Sequence, residues 1–333
     1  MQFGVLQFFS WPGRRVPLET VYDRALNRIE IMDKTGYEAV WLAEHHFSTY
    51  SVCPSVHMMG MHVAGRTKRL RIGTAVTLAA FYHPLRIAEE VALLDVLSGG
   101  RVNWGAGRGF DFTEFETFGV PVAESKTRFR EAVEIVLAAW TQDSIDWDSE
   151  HWRFRDVEVL PKPAQRPHPP VWVAGSSAES VGWAGEFGHS VMLSPHLPFA
   201  TIDEQQKQFR QALKDNGHDY EADRAIPVAR LISVADTEDE AAETARRGAE
   251  WIFSTYRNES KSANYQMNQS GNKPEVTSVD QYLNDVAIWG TPEKVTDTLH
   301  RLSEEIDLNY LMCAPLSHSS FMNFTEKVLP KFV

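Results

Sequence analysis

The feature that most constrains this chain is its alternation. Eight short runs rich in β-branched or aromatic residues recur along it, each followed by a longer stretch whose apolar residues keep helical spacing. The runs are Phe3–Phe9, Ala39–Leu42, Leu70–Val76, Val102–Gly105, Val171–Ala174, Ser190–Leu193, Ile226–Ala235 and Asn309–Ala314. The helical stretches are Leu18–Thr35, Pro54–Gly65, His83–Leu97, Ser125–Trp140, Ser177–Phe187, Ile202–Asn216, Glu238–Tyr256, Thr291–Glu305 and a final Ser319–Phe332. Strands separated by helices pair in parallel, and eight such units in 333 residues predict an α/β fold of the (β/α)8 barrel type, one domain over residues 1–333. The competing doubly wound sheet would need eight parallel strands in one large open layer.

Two segments interrupt the rhythm. The Trp- and Asp-rich stretch Ser144–Pro161, after the fourth helix, reads as a small hairpin. The polar stretch Arg257–Glu275 follows the seventh strand and its helix. It reads as a long loop on the face where barrel active sites gather, with a lid over the site or a surface insert as alternatives.

Composition narrows the function classes. A formal net charge of -12 disfavours nucleic acid and anionic membranes as partners. Two cysteines without a CxxC pair fit a reducing compartment. The start MQFGVLQFFSWPG lacks the pattern of a signal peptide, and no apolar run is long enough to span a membrane, so a cytoplasmic protein is expected.

The stretch VNWGAGRGF poses the sharpest local question. Its glycines resemble a dinucleotide fingerprint, but Phe110 stands where the third glycine belongs. A strand end with flexible glycines is one alternative. The other places Arg108 at the mouth, its guanidinium fork suited to a phosphate and the glycines letting backbone approach a ligand. VWVAGSSAES adds a second phosphate-like turn. Gly175, Ser176 and Ser177 precede a helix whose N–H groups can hold an anion, although N-capping explains one serine equally well.

After the second strand comes Glu44-His45-His46-Phe47. Adjacent histidines on extended chain point opposite ways, which is poor geometry for sharing a metal, and no metal site is expected. One of them can face the mouth as a proton donor or acceptor, or both can be structural. His57 and His62 read as packing or interface residues, and His83 as a cap. His196 and His318 follow strands and could reach the mouth. Cys53 has no convincing partner as a nucleophile.

The segments MQFGVL, VWLAEHHF, RIGTAVTL, HPLRIAEEVALLDVLSGGRVNWGAGRG, VAGSSAES and GTPEKV together resemble the bacterial luciferase-like flavin-dependent monooxygenases, the luciferase α-chain branch more than the others. The resemblance covers nearly the whole chain. It implies a barrel that uses reduced FMN from a separate NAD(P)H:flavin reductase. Oxygen then adds to the flavin as a C4a-hydroperoxide that oxidises a small-molecule substrate. By this likeness His45 is the acid/base, and Glu44, Ala75, Arg108, Gly175, Ser176 and Ser177 are cofactor-binding. Ala75 falls where the family has a non-prolyl cis peptide under the isoalloxazine ring. A homodimer is also implied; the small and Met-rich face of Val56–Ala64 and the apolar face of Ile87–Leu97 would suit its interface, or serve ordinary barrel packing.

The chain departs from the luciferase pattern at three places. Gly107 replaces the reactive cysteine, Gly175 replaces an acidic residue, and Ser194-Pro195 stands where luciferase has a tryptophan. These changes put aldehyde specificity and light emission in question. Three function classes follow: an FMN-dependent monooxygenase, a coenzyme F420-dependent hydride-transfer enzyme, and a non-catalytic flavin-binding relative.

Overall fold

A computed structural model describes residues 1–175, 177–218, 225–255 and 276–332. Its strands are β1 (Gln2–Gln7), β2 (Ala39–Leu42), β3 (Arg71–Thr74), β4 (Thr77–Leu78), β5 (Val102–Gly107), β6 (Ile145–Asp148), β7 (Arg153–Val157), β8 (Val171–Gly175), β9 (Ser190–Leu193), β10 (Pro227–Val234), β11 (Ile288–Gly290) and β12 (Tyr310–Pro315). Eight of them form a ring in the order β1-β2-β3-β5-β8-β9-β10-β12, which closes where β12 pairs with β1. Each neighbouring pair is parallel. The expected (β/α)8 barrel is the observed fold.

The helices are α1 (Leu18–Lys34), α2 (Val56–Arg66), α3 (Pro84–Ser98), α4 (Phe112–Phe118), α5 (Ser125–Thr141), α6 (Ala178–Glu186), α7 (Phe199–Asp215), α8 (Glu238–Thr255), α9 (Val279–Asp285), α10 (Pro292–Ile306) and α11 (His318–Asn323). The hairpin expected after the fourth helix of the reading is the antiparallel pair β6–β7. The polar stretch 257–275 lies outside the described residues.

Alternation along each strand builds two layers. Val5, Val40, Ile72, Val173, Val191, Val228 and Leu311 face outward beneath the helices. Leu6, Trp41, Trp172, Met192, Leu231, Tyr310 and Met312 fill the barrel. The Trp41 indole takes so much of that interior that a Cβ on Gly73 would sit 2.2 Å from its ring. Its Nε1 donates to the Tyr310 hydroxyl at 2.8 Å, and Trp172 meets it edge-on with centroids 5.6 Å apart. Tyr310 in turn donates to Glu38 at 2.6 Å. Large side chains thus plug the barrel.

Several elements differ from the reading. The third run is broken: β3 stops at Thr74, and pairing with β5 resumes at Thr77. Helix α2 begins at Val56, capped by the Ser55 side chain, and not at Pro54. Helices α4 and α9 and strand β11 were not anticipated. The final helix is α-helical only to Asn323 and then passes into a π turn and a 3-10 turn.

Candidate active site

The residues after β2 run straight into the barrel mouth. Glu44 is buried, and its Oε1 accepts from the Tyr82 hydroxyl at 2.8 Å and lies 3.1 Å from His46 Nε2. A second buried carboxylate, Glu114, accepts the His46 backbone N–H at 2.9 Å and lies 3.7 Å from His45 Nδ1. Each histidine therefore has its own carboxylate. The rings also face different neighbours, as extended chain requires. His45 lies among Phe8, Tyr50 and Phe110, at centroid distances of 6.4, 4.8 and 5.8 Å. His46 meets Phe118 edge-on at 4.8 Å. Tyr50 continues the aromatic wall by stacking on Trp251 of α8 at 5.1 Å.

Glu114 was missed in the sequence because α4 was missed. The signal was present: Asp111 caps α4, accepting from Thr113 N–H at 2.8 Å, and Glu114 falls three residues later, the spacing of a capping box. Burial pushes the Asp111 carboxyl up from its usual range, with its hydrogen bond to the Thr113 N–H acting against that.

Beside this pair, the break in the third run carries Ala75 and Val76 against the barrel's inner cluster. The Ala75–Val76 peptide is cis. Ala75 N–H donates to Leu42 O at 2.7 Å. The Thr74 hydroxyl ties the segment to β5, donating to Gly105 O at 2.7 Å and accepting from Gly105 N–H at 2.8 Å. This gives the glycines a packing role as well. A Cβ on Gly105 would lie 1.9 Å from Thr74 O, and one on Gly107 would lie 2.4 Å from Val76 Cγ2. Gly105 is small because the Thr74 backbone leans over it, and Gly107 because the Val76 side chain does. Gly109, at φ 85°, serves the turn after Arg108.

The next two strands bring Arg108 and the start of α6 to one end of the barrel. Ala106 pairs with Val173, so Arg108 and Gly175, each two residues further on, lie level at the mouth. The Arg108 guanidinium is half-buried, and that burial lowers its pKa, with Glu179 acting in the opposite sense. Glu179 sits in the first turn of α6 and also takes Lys126 and Arg130. Three cations thus converge on one helix N-terminus. Ser177 caps that helix, accepting from Ser180 N–H at 3.2 Å in a capping box. Gly175 is packed, since a Cβ there would come within 2.9 Å of Val191. Ser176 lies outside the described residues.

The structure therefore lines up His45, Ala75, Arg108 and Ser177 after four successive barrel strands, β2, β3, β5 and β8. Other candidates stand apart. Burial, helped by Glu44, pushes the Cys53 thiol up to about 12, which makes it a poor nucleophile. His83 caps α3, accepting from Leu85 N–H at 3.3 Å. His196 Nδ1 lies 2.8 Å from the Tyr282 hydroxyl. His57 is buried between Glu90 and Thr77. Among the described residues, no group of three or more His, Cys, Asp or Glu side chains is arranged to hold a metal ion, and no helix is long and apolar enough to cross a membrane.

A profile of the luciferase-like monooxygenases matches residues 1–307. The chain belongs to the luciferase-like monooxygenase family. It is 37% identical over 191 residues to the uncharacterized protein y4wF of Sinorhizobium fredii, covering 57% of this chain and 55% of that one. It is 31% identical to the oxygenase component of the flavin-dependent trigonelline monooxygenase of Acinetobacter baylyi, covering 72% of this chain and 67% of that one. The alkanal monooxygenase alpha chain of Photorhabdus luminescens is 26% identical, with 94% and 90% covered. The chain thus spans about half the length of y4wF and nearly all of the alkanal monooxygenase chain.

Among solved structures, the monooxygenase RslO1 from Streptomyces bottropensis superposes over 100% of both chains with TM-score 0.87 and 25% identity. Two further members of this fold are less than 25% identical and speak to architecture alone. The oxygenating constituent of 3,6-diketocamphane monooxygenase from Pseudomonas putida, solved with FMN, gives TM-score 0.80 at 18% identity over 100% and 99% of the chains. An F420-dependent secondary alcohol dehydrogenase gives 0.76 at 19% identity over 98% and 97%.

Proposed function

We propose that this chain is the oxygenase component of a two-component FMN-dependent monooxygenase. It uses reduced FMN and O2 to insert one oxygen atom into a small apolar organic substrate such as an aldehyde or ketone. A separate NAD(P)H:flavin reductase supplies the reduced flavin, in the cytoplasm. The observation that carries this reading is the succession His45, Ala75–Val76, Arg108, Ser177 on adjacent strands. In that succession His45 would handle protons, Ala75–Val76 would lie under the ring, and Arg108 with the start of α6 would meet the phosphate of a flavin mononucleotide. The name of the Acinetobacter relative, a flavin-dependent oxygenase component, supports it.

The residues fit that cofactor. Arg108, with Lys126 and Arg130 around the first turn of α6, would hold the phosphate, aided by the Ser177 hydroxyl and the Ser176 position. Ala75 and Val76 would lie under the ring. When bound, reduced flavin supplies the electrons that activate O2.

The protein's own contribution is positioning, proton control and exclusion of water. With Nδ1 facing Glu114, His45 keeps Nε2 to hold or move a proton at the reacting end. Glu44 fixes His46 behind it. Phe8, Tyr50, Phe110 and Trp251 wall off that end, where water would waste activated oxygen.

The chain is further proposed to form a homodimer. Helices α2 and α3 present Met58, Leu93, Val96 and Leu97 to solvent side by side, and a second copy would bury them.

The test is cofactor binding followed by oxidation. FMN should bind and F420 should not, and Arg108→Met should weaken FMN about 10- to 100-fold, the loss of one charge-assisted contact. After anaerobic loading with reduced FMN, oxygen should give an oxidation trace distinct from that of free flavin, accelerated by a substrate. Binding of F420 in place of FMN would move the chain to hydride transfer. Binding of FMN without oxygen-dependent turnover of any substrate would make it a non-catalytic relative.

A further inference from the structure

The buried His57 has no task in the proposed reaction. It lies on α2, 6% exposed, on the outer side of the barrel wall. Its Nε2 is 2.9 Å from the Thr77 hydroxyl, and its Nδ1 is 2.9 Å from Glu90 Oε2 on α3. Glu90 in turn accepts from Arg86 at 2.6 Å. Glu90 accepts from Nδ1–H, and Nε2 pairs with the Thr77 hydroxyl. A chain of hydrogen bonds therefore runs from the half-exposed face of α3 into the wall.

It ends at a telling place. Thr77 is fully buried and is the first residue at which pairing with β5 resumes after Ala75–Val76. The other edge of that break is held by a threonine too, Thr74, through Gly105. Ala75 and Val76 carry no polar side chains, so hydroxyl contacts can hold the segment only through the residues that flank it.

We propose that Thr77, His57 and Glu90 are positioning residues that clamp the far end of the Ala75–Val76 segment and so set the seat of the flavin ring. The effect on cofactor seating rests on the flavin reading above; the clamp itself does not. A bed misplaced by a fraction of an ångström changes orientation at the reacting atoms, which is where supporting contacts act.

The experiment compares Thr77→Val, which keeps the shape and loses the hydroxyl, with Thr77→Ser, which keeps the hydroxyl. His57→Gln and the His57→Gln/Thr77→Val double variant complete the set. Two readouts are taken: hydrogen–deuterium exchange of the 74–79 segment in flavin-free protein, and the affinity and visible spectrum of bound FMN. Thr77→Val should speed exchange in that segment alone, shift the bound-flavin band, and weaken FMN about fivefold, the worth of one net hydrogen bond. Thr77→Ser should restore parental behaviour, and the double variant should be no worse than Thr77→Val.

Parental exchange at 74–79 in Thr77→Val overturns the clamp. So does a Thr77→Ser variant as impaired as Thr77→Val, since methyl packing would then be the cause. Faster exchange with unchanged FMN affinity and spectrum overturns the role in seating. A parent protein that takes up no FMN overturns the flavin reading and this seating role together, while the exchange data still decide the clamp.

Discussion

At the scale of residues, two histidines adjacent in sequence are separated by the carboxylates they meet. Glu114 faces the His45 ring while also accepting the His46 N–H, so one buried carboxyl group holds the ring of the first and the backbone of the second. Under the proposed function, His45→Ala should lower turnover about 100- to 10,000-fold with FMN affinity nearly unchanged, the range for loss of a proton-transfer group. Glu114→Gln should lower it less, because the amide oxygen can still accept the His46 N–H. Steady-state kinetics with equilibrium flavin titration separates the two effects.

The cysteines give a prediction of a different kind. The folded Cys53 thiol titrates at about 12, against an ordinary value of 9.0. A group raised in this way contributes its stability in full below pH 9.0, and that contribution is lost as pH rises toward about 12. Burial pushes Tyr37 and Tyr310 in the same direction, so they act with the same sign. Native protein should resist alkylation at Cys53 at neutral pH, as read by mass spectrometry, and denaturant midpoints should fall above pH 9.0. Ready labelling of the folded protein would contradict the burial described.

At the scale of elements, the site depends on one strand being interrupted and its neighbour making room. Gly105 is the tightest point, because a Cβ there would meet backbone and not a side-chain tip. Gly105→Ala should therefore cost about 3 kcal/mol or more, at the upper end for overpacking, and should disturb the bed as well. Gly107→Ala meets the Val76 side chain, which can turn, and should cost less. Thermal and urea unfolding of the two variants would rank them, and equal costs would show that the break relaxes as a unit. Helix α4 has a similar dependence on local chemistry. Asp111 starts it and Gly119, at φ 68°, ends it, which places Glu114 under the histidine pair.

At the scale of the whole molecule, the exposed apolar residues are not evenly spread. Met58 is 77% exposed and Leu97 is 62% exposed, on two helices that pack side by side. The double variant Met58→Glu/Leu97→Glu should shift the proposed dimer to monomer by sedimentation while leaving the barrel's circular dichroism intact, because neither side chain contributes to the core. A parent that sediments as a monomer at micromolar concentration would remove the dimer proposal.

The whole-molecule scale also shows where reading the chain alone stops. The eight barrel strands were legible because each is an apolar run bounded by turns, and the major helices because their spacing persists over three or more turns. The placing of Arg108 at the end of a strand and of Ser177 at the start of a helix was legible from the runs on either side. Helix α4, at seven residues, and strand β11, at three, are too short for periodicity to announce, and tertiary contacts hold them. The His46–Glu114 bond spans 68 residues, and the Trp41–Tyr310 bond that helps to plug the barrel spans 269. The order of residues determined the alternation, the caps, the family and the positions at strand ends. Only closure of the barrel decided which carboxylate serves which histidine, why two glycines must stay small, and which threonine a buried histidine holds. Those contacts join strands and helices far apart in the chain, and nothing local encodes which partner arrives.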